Sequence, residues 1–127
     1  MIEVRFEKKA GVTASWVRGI VEATLKAEKT KKLMSVLVTG DAQIRRINKL
    51  FLKHDFATDV VSFDTGDLVV SADFAKRYAK QNSLPYKQEL ARYLVHGTLH
   101  LLGYDDRKKV DYERMHKRQE AILRKIL

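Results

Sequence analysis

The stretch His96-Gly97-Thr98-Leu99-His100-Leu101-Leu102-Gly103-Tyr104-Asp105-Asp106 carries the reading of this chain. On an α-helix, residues four apart lie one turn above each other, so His96 and His100 direct two imidazoles to one place. Leu90, Leu94 and Leu101 run beside that pair, which leaves one face of the helix for a core and the adjacent face for a ligand. Gly103 tolerates the left-handed conformation that ends helices, so the chain doubles back three residues after His100. Asp105 or Asp106 is then carried toward the pair. Two imidazoles and a carboxylate with a fourth position open suit a catalytic zinc ion. Position 97 is glycine, not the glutamate of H-E-x-x-H, so no general base sits inside the helix and peptidase chemistry of that kind is disfavoured.

Outward from this segment, strands and helices interleave. Residues 2–7 alternate like an edge strand, and Thr13 is placed to cap a helix bearing Trp16, Ile20, Val21 and Leu25. The apolar run 33–38 predicts a second strand, stopped by Gly40. Asp41 is expected to cap a helix that buries Ile44, Ile47, Asn48 and Phe51. Strands at 60–63 and 68–70 are joined through Thr65-Gly66-Asp67, and helices follow over 72–80, 86–102 and 110–126. Trp16, Phe51, Phe63 and Phe74 are expected in the core, and His54 on a loop surface. Helices on a small mixed sheet, in one domain over 1–127, is the predicted architecture.

Twenty-five Lys and Arg against 16 Asp and Glu give a net charge of +9 over 127 residues. Such a basic surface attracts polyanions, because phosphate contacts release condensed counterions. Cysteine is absent, which excludes disulfides and thiolate metal sites. No apolar run approaches the roughly 20 residues of a membrane span. The opening residues alternate rather than forming a signal-peptide core, so a cytoplasmic location is expected.

The segment 96–106 closely resembles the signature H-G-x-L-H-L-x-G-Y-D-H of the YbeY family, matching every fixed position but the last. A second block, N-x-x-F-R-x-x-D-x-P-T-D-V-L-S-F-P, is similar at Asn48, Phe51, Asp55, Thr58, Asp59, Val60, Ser62 and Phe63. Gly66-Asp67-Leu68-Val69-Val70-Ser71 resembles the G-D-I-V-I-S strand that follows it. The resemblance implies an α+β fold, a mixed four-stranded sheet packed with about five helices. It also implies a single-strand-specific metallo-endoribonuclease of 16S ribosomal RNA 3′-end maturation and ribosome quality control. Zn2+ is the implied ion, one per chain, with Ni2+ as an alternative. Implied partners are ribosomal RNA and the ribosome, with small-subunit proteins or GTPase assembly factors, and no membrane.

Carried onto this sequence, the metal ligands are His96, His100 and Asp106, with Asp105 the rival third ligand and His116 a weaker one. Asp105 and Asp59 are candidates for proton transfer, and Lys53, Arg45 and Arg107 for RNA contact. The chain departs from the family at three places. Asp106 replaces a histidine, which lowers the net positive charge of the site and favours harder metals. Leu52 replaces an arginine and holds no phosphate, leaving Lys53 as its nearest substitute. Ala57 and Asp64 replace two prolines. Leu52 and Asp106 keep open a second reading, a ribosome- or RNA-binding module with a structural metal. The histidine spacing, which is also that of the metzincin zinc helix, keeps open a third, hydrolysis of a peptide or small phosphoester.

Overall fold

The structure is a computed structural model that describes residues 1–127. It runs β1 (Ile2–Phe6), α1 (Ala14–Ala27), β2 (Met34–Thr39), α2 (Asp41–Leu52), β3 (Val60–Phe63), β4 (Asp67–Ser71), α3 (Ala72–Gln81), α4 (Tyr86–Leu101) and α5 (Lys109–Ile126). The strands form one sheet in the order β1-β2-β4-β3, parallel except for β3, which pairs antiparallel with β4. This is the mixed four-stranded sheet with five helices that the sequence predicts, an α+β fold with β1 on an edge.

Side-chain alternation divides the sheet. Met34, Val36 and Val38 of β2, with Leu68 and Val70 of β4, face the main core, where Val17, Ile20, Val21 and Leu25 of α1 and Leu90, Leu94 and Leu99 of α4 close over them. The register pairs Val36 with Leu68 and Val38 with Val70, so the apolar rows line up across strands. The opposite face carries Val61 and Val69 under Ile44 of α2, a much smaller cluster. α4 is the central helix, with α1, α3 and α5 packed against it.

Two local expectations change. Asp41 does not cap its own helix: Gly40 occupies the N-cap position, and the Asp41 N–H donates instead to Asp73 Oδ2 of α3 at 3.0 Å. A Cβ on Gly40 would stand 2.3 Å from that oxygen, so the glycine admits a capping carboxylate from 32 residues away. Phe51 is 62% exposed rather than core. Its ring meets Phe63 edge-on, centroids 5.6 Å apart. Thr13 caps α1 as expected, its Oγ1 accepting from the Trp16 N–H at 3.0 Å, and Trp16 and Phe74 pack partly buried at the rim of the main core.

Candidate metal centre

α4 is long enough to have a buried face and a working face. Leu90, Leu94, Val95 and Leu99 are wholly buried, His96 is half-buried and His100 is exposed. The two imidazoles stand parallel, 6° apart in plane and 6.5 Å between centroids, as the four-residue spacing requires. Gly97, between them on the sheet side, lets the helix approach β3 and β4. A Cβ there would lie 2.2 Å from Leu68 Cδ1 and 3.0 Å from Val60 Cγ2. A glutamate at this position therefore has no room.

The helix ends as glycine placement predicts. Gly103 has φ +103°, its N–H donates to the His100 carbonyl at 3.1 Å, and the Tyr104 N–H donates to the Leu99 carbonyl at 3.2 Å. This double bond pattern is a Schellman closure. The returning chain is then clamped: the Tyr104 hydroxyl donates to Glu28 Oε1 at 2.6 Å, and Arg118 holds the other Glu28 oxygen at 2.6 Å. Past the turn, Asp106 Oδ2 comes to 3.7 Å from His96 Nε2.

The two candidate carboxylates separate. Asp106 faces His96, whereas Asp105 turns to Arg107, accepting from its backbone N–H at 3.0 Å and from its guanidinium at 3.0–3.2 Å. These bonds hold the Asp105 carboxyl down at about 2. His116 stacks on Tyr112 and His54 on Phe56, and both are exposed. Asp59 lies at the entry to β3, its Oδ1 accepting from the Val60 N–H at 2.7 Å. Of the three basic residues expected at RNA, Arg45 is paired with Asp55 at 2.8 Å and Arg107 with Asp105. Lys53 is exposed in the left-handed position that ends α2, φ +60°. Leu52, beside it, is 42% exposed.

Donors on a tetrahedral zinc ion with bonds of about 2.0–2.2 Å stand about 3.4 Å apart. The His96–Asp106 separation is near that bite, and imidazole with carboxylate is an accepted donor set. No three His, Asp or Glu side chains close around a common point. His96 and Asp106 thus stand together, with exposed His100 one turn along the helix.

Sequence reasoning did not single out Gln119. Its Oε1 lies 2.7 Å from His96 Nδ1, and it is buried on α5 in the row Met115, Gln119, Ile122. A lone glutamine in that apolar stripe is the available signal.

Fold and site together define an α+β domain that presents a two-histidine helix to a facing carboxylate. A sequence model of the family described as Endoribonuclease YbeY matches residues 3–127. The YbeY endoribonuclease of Persephonella marina is 34% identical over 91% of this chain and 84% of its own. Those of Myxococcus xanthus and an Anaeromyxobacter species are 37% and 41% identical over 90% and 72% of this chain. This chain spans only about half the length of those last two, 42% and 53%. The solution structure of TM1509 from Thermotoga maritima superposes with a TM-score of 0.75 at 22% identity, over 99% of this chain and 89% of its own, a likeness of fold. The chain belongs to the YbeY family.

Proposed function

We propose that this protein is a metal-dependent endoribonuclease acting on single-stranded RNA, in 16S ribosomal RNA maturation and ribosome quality control. The observation that carries the reading is the convergence of His96 and Asp106 across the Gly103 turn, beside His100, in a chain of this family. In this reading His96, His100 and Asp106 hold the ion, Zn2+ or another divalent metal such as Ni2+. An ion held there supplies Lewis-acid activation of water and of a phosphoryl oxygen. Asp105 and Asp59 are the candidates for taking up a proton; Asp105 is engaged by Arg107 and Asp59 by the Val60 N–H. The net charge of +9 draws the polyanion, and Lys53 is the basic side chain left free beside Leu52. Unpaired RNA leaves bases and backbone accessible that an A-form duplex keeps stacked and paired, which suits a single-stranded substrate. The ribosome, with small-subunit proteins or GTPase assembly factors, is the proposed partner, and the cytoplasm the proposed location. No helix is long and apolar enough to cross a membrane.

The test is cleavage of a labelled single-stranded RNA by wild-type protein, metal-stripped protein and His100→Ala. The reading expects turnover only in the metal-loaded wild type. Cleavage surviving metal removal contradicts it. Salt-sensitive RNA binding with no turnover would instead bring forward the binding-module reading that Leu52 motivates.

A further inference from the structure

A polar chain runs from His96 into the protein. Gln119 Oε1 meets His96 Nδ1 at 2.7 Å, and Gln119 Nε2 donates to Glu120 Oε2 at 2.9 Å. Both Glu120 oxygens accept from Arg92, at 2.9 and 3.1 Å, and Arg92 also donates to Glu89, which is 3% exposed. Every buried side-chain polar atom is partnered. The order of this chain has a chemical consequence. Reversing the Gln119 amide would place Oε1 against the Glu120 carboxylate, oxygen facing oxygen, so the carboxylate fixes Nε2 on its own side and Oε1 on the side of the histidine. An amide oxygen only accepts, so His96 must carry its proton on Nδ1. In the neutral imidazole Nε2 is then the nitrogen with the lone pair, and it is the one facing Asp106 at 3.7 Å.

We propose that Gln119 is a positioning residue: through the Glu120–Arg92–Glu89 chain it locks His96 in the Nδ1–H tautomer and so presents Nε2 ready to bind a divalent metal. The inference rests on the metal-centre reading for its use, though the tautomer it assigns belongs to the metal-free protein. Outer partners of this kind orient a ligating imidazole and are typically worth about 10–100-fold in metal affinity. The chain also explains why three charged side chains of α4 and α5 are drawn together between packed helices, where an isolated buried charge is costly.

The experiment is long-range 15N–1H NMR of the imidazoles in metal-free protein, with zinc affinity measured by competition against a chromophoric chelator. It compares wild type with Gln119→Met, which keeps the shape without the acceptor. The expected result is an Nδ1–H signal for His96 in wild type and its loss in Gln119→Met. Zinc affinity should fall about 10–100-fold in Gln119→Met. An Nε2–H signal in wild type overturns the proposal, whether or not the variant folds. So does unchanged zinc affinity in a folded Gln119→Met. Wild type that shows Nδ1–H yet binds no zinc supports the lock and overturns the metal centre instead.

Discussion

At the scale of single residues, Gly97 shows how backbone approach limits chemistry. Replacing a helix glycine by alanine ordinarily stabilises by up to about 1 kcal/mol. Here the added methyl meets Leu68, which is fully buried and has nowhere to move. Overpacking of this kind costs about 1–3 kcal/mol, so Gly97→Ala should lose stability overall. A shift of the urea midpoint to lower concentration with unchanged slope checks it, and a gain in stability would mean α4 lies farther from the sheet. His96, His100, Gly103 and Asp106 were legible in the sequence because their geometry is local, set by helical period and by one left-handed residue. Gln119 was not, because its partner is 23 positions away and the contact exists only once α5 packs on α4.

At the scale of elements, periodicity predicted every strand and helix, while the cap of α2 and the burial of Phe51 escaped it. Both depend on neighbours remote in sequence: the α3 carboxylate in one case, the packing around α2 in the other. Asp73 makes the first testable. Burial raises the pKa of its carboxyl, but the Lys8 ammonium and the Asp41 N–H outweigh this and hold it below the ordinary 3.8. A carboxyl whose folded pKa is depressed contributes stability that is present above its unfolded pKa and is lost as pH falls through the folded value. Asp73→Ala should therefore cost about 1 kcal/mol at neutral pH, as loss of a helix cap does. The gap in Tm from wild type should close as pH is lowered below about 4. A gap that stays constant into acid would show that the carboxylate is not what caps α2.

For the molecule as a whole, the sheet has one heavily covered face and one lightly covered by α2, with the two-histidine helix lying over the covered face. The surface carries its charge of +9 even though Arg45, Arg77, Arg107 and Arg118 are engaged by carboxylates of this same chain. Composition made the net positive charge legible, but not which cations remain free of ion pairs, since pairing is decided by the fold. Single-stranded RNA should bind with log K falling against log salt at about 0.7 per phosphate contacted. Raising salt from 50 to 200 mM should thus weaken binding on the order of tenfold when about three phosphates are contacted. Salt-independent binding, followed by fluorescence anisotropy, would mean that charge does not recruit the RNA.

If Asp106, brought to His96 by the Gly103 turn, completes a metal site with His100, loss of either Asp106 or His96 should release the ion. Elemental analysis of purified wild type beside His96→Ala and Asp106→Ala, each after zinc is supplied and excess removed, tests it most directly. The account predicts about one equivalent of metal in wild type and its loss in both variants. Metal retained in full by Asp106→Ala, or absent from wild type, would contradict it.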